Sequence, residues 1–279
     1  MKNKIWFVTG ASKGLGLALV KKLLSSGYRV AATSRNVNDL KKAVDAGSES
    51  FLPLAVDLKN ESSVENAIKE TVSHFGSIDV IVNNAGYGLV GSLEELTDAE
   101  VRENFDVNVF GVLNVIRKAM PFLRKQKSGH IFNIASIGGF TGNFPGFGSY
   151  TATKFAMHGF SESLAAEAKP FGVHVTIVSP GYFRTEFLDA SLGVPKNEIA
   201  DYKLVRDVQT LHQNEINYKQ AGDPVKAAAV MIEIAEQTTP PLHVFLGRDS
   251  YQLAEQKIKL IQEDMAAVKE LATSTDHEQ

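Results

Sequence analysis

An α/β fold, with a doubly wound and mainly parallel sheet of about seven strands and helices on both faces, is predicted by two features of the chain. Short apolar runs recur along it and are continuous rather than alternating, as strands covered on both faces require. Between them lie segments of helical periodicity with their own start signals, and strands alternating with helices at this spacing mean βαβ units. No repeat, low-complexity segment or Pro/Gly/Ser-rich linker divides the sequence. Residues 1–272 are therefore expected to form one domain, followed by a polar, disordered tail at 273–279.

The first run, Ile5 to Val8, leads into Thr9-Gly10-Ala11-Ser12-Lys13-Gly14-Leu15-Gly16 and then a helix from Leu15 to Ser25. Gly10 permits a sharp turn, Gly14 lets backbone approach a pyrophosphate, and Gly16 removes a side chain where helix meets strand. The helix N-terminus offers N–H groups to phosphate. The Gly-x-x-x-Gly-x-Gly spacing departs from the commonest dinucleotide fingerprint, and a glycine-rich turn without a ligand is the competing reading. A second strand runs from Arg29 to Ser34. An acidic residue at its end would hold the adenosine ribose of NAD, but this corner has Thr33, Ser34 and Arg35, and the next carboxylate is Asp39. Arg35 can fork onto a phosphate that Lys13 also approaches, which favours NADP over a pair of unrelated surface cations.

Phe51 to Val56 is the third strand and ends in Asp57 and Leu58. Ser62-Ser63-Val64-Glu65 has the form of a capping box opening a helix to about Phe75. Val80 to Val82 is the fourth strand, followed by Asn83-Asn84-Ala85-Gly86. Thr97-Asp98-Ala99-Glu100 opens another helix, and a further helical stretch covers about Asn108 to Lys125. Ile131 to Ala135 is the strand before Ser136. A helix from Tyr150 to about Lys169 precedes the strand Val173 to Ser179, closed by Pro180-Gly181. Asp223-Pro224 reads as an N-cap and first-turn proline for a helix to Gln237, with Leu242 to Leu246 as the last strand.

Two segments stand outside the alternation. The stretch between Pro180 and Asp223 is too long for an ordinary connection. Its Phe183, Phe187, Leu188, Leu192, Val194 and Ile199 suggest a lid, about 182–222, over an apolar ligand, or else an insertion packed on the body. The C-terminal helix from Ser250 carries Ala254, Ile258, Ile261, Met265, Val268 and Ala272 at alternating four–three spacing. That stripe either covers its own domain or pairs with another chain.

The chain has 279 residues, 44% apolar and 22% charged, with a net charge of −3. Such a balance provides no basic field to recruit nucleic acid or an anionic membrane. Without cysteine there is no disulfide, thiol nucleophile or sulfur-bound metal, and the seven histidines show no ligand-like spacing, so no metal is expected. No apolar stretch approaches a membrane span and no signal peptide precedes Ile5, so a cytoplasmic location is expected.

Tyr150 and Lys154 lie four apart and share one helix face. An ammonium beside a phenol favours the phenolate, lowering its pKa from about 10 towards working pH. A tyrosine so tuned exchanges a proton with a carbonyl or alcohol oxygen, to which Ser136 can donate a hydrogen bond. Alone, the triplet equally describes an amphipathic tyrosine at a helix start and a solvated lysine.

Thr9-Gly10-x-x-x-Gly14-x-Gly16, Asn83-Asn84-Ala85-Gly86, Asn108, Ser136, Tyr150-x-x-x-Lys154 and Pro180-Gly181 occur in one order over roughly residues 5–190. In this the chain resembles the short-chain dehydrogenase/reductase family, in the shorter of its two main branches, and within it the hydroxysteroid dehydrogenase-like members. The resemblance implies a Rossmann-type domain with NADP as cofactor, acting as an oxidoreductase between an alcohol and a ketone or aldehyde. Tyr150 would be the acid in reduction and the base in oxidation, and Lys154 would bind the nicotinamide ribose and lower the tyrosine's pKa. Ser136 would polarise the carbonyl, and Asn108 would hold a water linking Lys154 to solvent. Cofactor contacts would come from Gly10, Ser12, Lys13, Gly14, Leu15, Gly16, Ser34 and Arg35. Asp57 and Leu58 would lie at the adenine, and Asn83, Asn84, Ala85 and Gly86 along the trough. Pro180, Gly181 and Thr185 would meet the nicotinamide carboxamide. Ser136 and Tyr150 are fourteen apart, one more than usual in the family, and the extra residue is expected to bulge outward. Helices at about 108–125 and 150–169 would pack on partner copies as a homodimer or homotetramer. A non-catalytic NADP-binding sensor or scaffold is the alternative function.

Overall fold

The computed structural model describes residues 4–45, 47, 49–189 and 191–277. Its strands are β1 (Ile5–Val8), β2 (Arg29–Ser34), β3 (Phe51–Ala55), β4 (Val80–Asn83), β5 (Gly88–Leu89), β6 (Gly129–Ile134), β7 (Val173–Pro180), β8 (Leu192–Gly193) and β9 (His243–Leu246). Seven of them form one sheet in the order β3-β2-β1-β4-β6-β7-β9, with every neighbouring pair parallel. The chain starts mid-sheet, winds outward to β3, then returns beside β1 and winds outward the other way to β9. Strand order reverses between β1 and β4, and there the strand ends leave a crevice.

Both sheet faces are buried, which explains the continuous apolar runs. Side chains alternate across a strand, so Trp6 and Val8 enter the core on one face of the sheet while Phe7 enters the core on the other. The first core is closed by α1 (Gly14–Ser25) and α8 (Pro224–Ala235), through residues such as Leu19, Leu23 and Met231. The second is closed by α3 (Glu61–Phe75), α5 (Gly111–Gln126) and α6 (Gly148–Ala168), through Ile68, Val115 and Met157 among others.

Several elements differ from the sequence reading. A helix α2 (Val37–Val44), capped by the Asn36 side chain, follows β2; it buries only Leu40 and Val44, too few for its periodicity to show. Helix α3 starts at Glu61 rather than from a box at Ser62. The Asn60 side chain accepts from the Ser63 amide at 3.0 Å, the Ser63 hydroxyl accepts from the Asp57 amide, and Glu65 is paired with Lys118. The Thr97–Glu100 box does open α4 (Asp98–Phe105), but that helix continues through a π turn at Asp106–Phe110 into α5, without a new start at Asn108.

Past β7 come α7 (Lys203–Thr210), a π turn at Leu211–Ile216, and finally α9 (Arg248–Ala267) and α10 (Lys269–Thr273). Thr273 closes α10, and the Ser274 and Thr275 hydroxyls donate to the Leu271 and Ala272 carbonyls, so local order extends past the expected start of the tail. Glu278 and Gln279 lie outside the described residues. Among the described residues no helix is long and apolar enough to cross a membrane.

Candidate active site

A cleft of about 1010 Å³ opens over the ends of the central strands. Of the residues singled out in the sequence, Ser34, Arg35, Asp57 and Leu58 line it on the β2–β3 side. Gly10, Ser12, Lys13, Leu15, Asn84, Ala85 and Gly86 form its middle, and Ser136, Tyr150, Lys154, Pro180, Gly181 and Thr185 the far wall.

The glycine turn is pressed against the loop after β4. Gly10 has φ +65°, and a Cβ there would sit 2.7 Å from Ala85 Cα. A Cβ on Gly16 would meet the Asn84 side chain at 2.4 Å and the Gly10 carbonyl at 2.6 Å, so the close approach is to the turn itself rather than to a strand. Asn84 Nδ2 donates to the Thr9 and Gly10 carbonyls at 2.9 and 3.0 Å, and the Asn84 and Ala85 amides donate to the Thr9 hydroxyl. Asn83, expected in the trough, is instead buried in the sheet. Its Nδ2 donates to Asn133 Oδ1 at 2.8 Å across β4–β6, and Asn133 in turn donates to Ser161 on α6. β4 residues alternate in direction, which turns Asn83 inward and leaves Asn84 for the cleft.

Helix α1 begins with Gly14 and has neither a side-chain cap nor an acidic residue in its first turn. The starts of α2, α3, α4 and α8 are all capped by side chains. The N–H groups of α1 thus keep their capacity for an anion, with Lys13 and Arg35 exposed on the same cleft. A glycine-rich turn, an uncapped helix start and flanking cations fit the phosphates of a dinucleotide. Asp57 holds its own loop, accepting from the Lys59 amide at 3.0 Å.

On the far wall, Ser136 follows β6 and accepts from the Gly138 amide at 3.1 Å, which sets the start of a short 3₁₀ turn. The loop then carries Gly142, Asn143 and Pro145 at the surface before Phe147 returns inward. Tyr150, in the first turn of α6, is buried, and Ser136 is the neighbour that favours its ionised form. Lys154, one turn on, is also buried. Its Nζ donates to the Ile134 carbonyl at 2.8 Å and lies 5.8 Å from the centroid of the Tyr150 ring.

Asn108 lies in the π turn, a helical irregularity frequent at functional sites. Its side chain exchanges hydrogen bonds with both backbone groups of Tyr87 and donates to Thr153 at 3.1 Å, tying the loop after β4 to α6. A Cβ on Gly86 would lie 3.0 Å from Asn108 Oδ1 and 3.6 Å from Lys154 Nζ, so these three residues adjoin.

The electrostatics differ from the sequence expectation. Burial pushes the Tyr150 phenol up to about 12, opposed by the neighbouring Ser136 side chain, and burial pushes Lys154 down to about 8. The lysine is engaged with the Ile134 carbonyl and stands over the ring, so loss of hydration dominates at the phenol. At neutral pH the phenol keeps its proton and the lysine is mostly charged.

The segment after β7 is fastened to the body by β8, which pairs with β5 just after Gly86. Thr185 is buried and caps the 3₁₀ turn Glu186–Leu188, and the Phe187 ring lies 5.8 Å from that of Tyr150. Tyr182 and His212 are among the cleft-lining residues that had no signal of their own in the sequence. His212 Nδ1 donates to the Val208 carbonyl at 2.7 Å, leaving Nε2 to accept from the Tyr182 hydroxyl at 2.8 Å. Asp249, at the start of α9, fills the space left by Gly181, where a Cβ would lie 2.2 Å from its carboxylate. It accepts from the Tyr182 amide at 2.7 Å and so fixes the loop after β7. Its partner is 67 residues away, beyond any spacing rule. Away from the cleft, His158, Glu162 and His243 bring ligand atoms within 4.8 Å of one another, although His158 already bonds Ser179.

The arrangement recurs in known proteins. The short chain dehydrogenase family profile matches residues 4–192. The 3-ketodihydrosphingosine reductase of Bacteroides thetaiotaomicron is 36% identical over 88% of this chain and 89% of its own length. A short-chain dehydrogenase from Streptomyces avermitilis superposes with a TM-score of 0.90 at 33% identity, covering 98% of this chain and all of that one. A metagenomic short-chain oxidoreductase in complex with NADP is 28% identical, with a TM-score of 0.68 over 88% of this chain and 96% of its own. Other solved structures of this fold carry NADH or NAD. Oxidoreductases thus match this chain along nearly its whole length, and the protein belongs to the short-chain dehydrogenase family.

Proposed function

We propose that the protein is an NADP(H)-dependent enzyme interconverting an apolar alcohol and the corresponding ketone or aldehyde. The observation that carries this reading is the meeting of Ser136, Tyr150 and Lys154 on one wall of a cleft whose middle fits a dinucleotide phosphate. A bound nicotinamide supplies or accepts the hydride. The α1 N-terminus holds the pyrophosphate, with Ser12 and Leu15 beside it. Arg35, Ser34 and Lys13 hold the ribose phosphate, Asp57 and Leu58 flank the adenine, and Thr185 with Pro180-Gly181 orients the carboxamide. Lys154 binds the nicotinamide ribose, and Asn108 positions a water beside it. Ser136 donates to the substrate oxygen, and Tyr150 gives that oxygen a proton in reduction and removes one in oxidation, so charge never accumulates there unassisted.

The phenol's position near 12 sets a pH dependence. Reduction uses the protonated form, which is present throughout the neutral range, whereas oxidation needs the phenolate. Alcohol oxidation is therefore expected to accelerate as pH rises through the alkaline range, while reduction stays level near neutrality. A pH–rate profile checks this, and an oxidation rate flat from neutral to alkaline pH contradicts Tyr150 as the base.

The substrate end is walled by Phe144, Phe147, Phe187 and Leu192, which suits an apolar or aromatic ketone. The decisive experiment is NADPH turnover over a panel of ketones and aldehydes, with 3-ketodihydrosphingosine included because a similar protein is named for it. NADPH binding without turnover on any carbonyl would favour a sensor instead.

Cofactor choice rests on the β2 corner, where Arg35 takes the place of an acidic residue. A charge-assisted bond to phosphate is worth roughly 1.5–3 kcal/mol in net terms, reduced by exposure. About tenfold preference in kcat/KM for NADPH over NADH is expected, since 1.4 kcal/mol is a factor of ten. Arg35→Asp should reverse the order. Equal use of both by the unmodified protein would show that Arg35 plays no part. Packing of α5 and α6 on partner copies, as a homodimer or homotetramer, belongs to the same reading.

A further inference from the structure

The C-terminal helix does not cover its own domain. Helix α9 is anchored by Ser250, whose hydroxyl donates to the Ser179 carbonyl, and by Ala254; every described residue from Ile258 onward is exposed. The apolar stripe nevertheless continues along the free part. Ile258, Ile261 and Met265 are 44%, 41% and 65% exposed, far more than apolar side chains on one helix face ordinarily are. Their steps from Ala254 are four, three and four, which sets all four side chains on one face of the helix. A stripe this narrow suits a seam against one partner helix better than a broad globular surface. A surface of this kind implies an occupant.

We propose that α9 pairs antiparallel with α9 of a second copy of this chain. Charge favours this occupant and this direction. With Ile258 packed on the partner's Ile261 and Ala254 on the partner's Met265, the flanking positions bring Lys257 opposite the partner's Asp264, twice by symmetry. Glu255 flanks the seam opposite the partner's uncharged Gln262, and on the outer face Lys259 and Glu263 pair with each other at 3.8 Å. A membrane surface is a poorer occupant: from Glu255 to Glu270 the helix carries Lys257, Lys259 and Lys269 against Glu255, Glu263, Asp264 and Glu270, without the basic face such surfaces attract. The unbroken seam ends where α9 stops at Ala267 and Val268 leaves helical geometry, so it spans about two heptads. Two heptads bury less than the ~800 Å² per partner of a standard interface, and the contact should therefore depend on concentration.

The test is solution mass by sedimentation over a wide range of protein concentration, on the full chain. The double variant Ile258→Glu/Ile261→Glu changes exposed residues only and should halve the mass seen for the unmodified protein at high concentration, taking a tetramer joined by both contacts down to the dimer held by α5 and α6. Lys257→Asp and Asp264→Lys should each weaken assembly by about tenfold or more, and the two combined should restore it. Unaltered mass in the Ile258→Glu/Ile261→Glu protein overturns the pairing. Failure of the combined charge swap to recover what the single changes lose overturns the antiparallel register.

Discussion

Tyr150→Phe is expected to lower turnover by roughly 10²–10⁴, the contribution a positioned acid or base makes, while leaving NADPH affinity nearly unchanged. The ring is buried against Phe147 and Phe187 at 6.4 and 5.8 Å between centroids, and phenylalanine keeps those contacts. What is lost is the hydroxyl, whose neighbour is Ser136. The Ser136 hydroxyl keeps the Gly138 amide as a partner, so stability should change by no more than about 1 kcal/mol, the net worth of one hydrogen bond. The variant thus separates chemistry from folding. Steady-state kinetics, with cofactor binding measured by fluorescence titration, check it. Near-normal turnover in a folded variant would remove Tyr150 from the proton-transfer role.

The fold was legible because both sheet faces are covered. Burial on two sides writes β1 and most of β4 as uninterrupted apolar runs, and the strand–glycine–helix junction at Gly10 to Gly16 orders them. Weakly amphipathic or minimal elements were not legible, among them α2 with two buried side chains and the two-residue β5 and β8. At the site, the groups drawn from one local motif could be named in advance, since Tyr150 and Lys154 are one helical turn apart. Groups brought in from distance could not: Asp249 behind Gly181, or His212 against Tyr182, are set by tertiary packing alone. Asn83 and Asn84 show the limit within a single motif. Two adjacent asparagines look equivalent in the sequence, and only the alternation of a strand sends one into the sheet and the other to the turn. The direction of the Tyr150 shift was missed for a similar reason, because burial cannot be weighed against a neighbouring charge before the depth of each is known.

Lys154→Met is expected to abolish most activity and yet make the cofactor-free protein more stable at neutral pH. Lys154 is buried, and its ammonium is pushed down from the ordinary 10.5 to about 8 by loss of hydration. Between those values the folded protein holds fewer protons on this group than the unfolded chain, so its contribution to stability rises with pH across that window. The penalty of burying the charge is fully present below about pH 8 and gone above about 10.5. A drop of that size corresponds to roughly 3 kcal/mol at most, since one pKa unit is about 1.4 kcal/mol. Methionine has similar length and no charge, but it leaves the Ile134 carbonyl without its 2.8 Å donor, which returns about 1–3 kcal/mol if that oxygen finds no water. A net gain of up to about 2 kcal/mol is therefore expected at pH 7, fading towards pH 10, with denaturant unfolding at both pH values as the measurement. A variant less stable than the parent at pH 7 would show that the buried ammonium is adequately compensated by its surroundings. Cofactor affinity should fall in the same protein because the ribose loses its donor. If the lysine also favours the Tyr150 phenolate, the alkaline rise of alcohol oxidation should move to higher pH. An unmoved profile would confine Lys154 to holding the ribose. Stability lost to a charge that function requires is the usual trade at an active site, and here one substitution measures both sides of it.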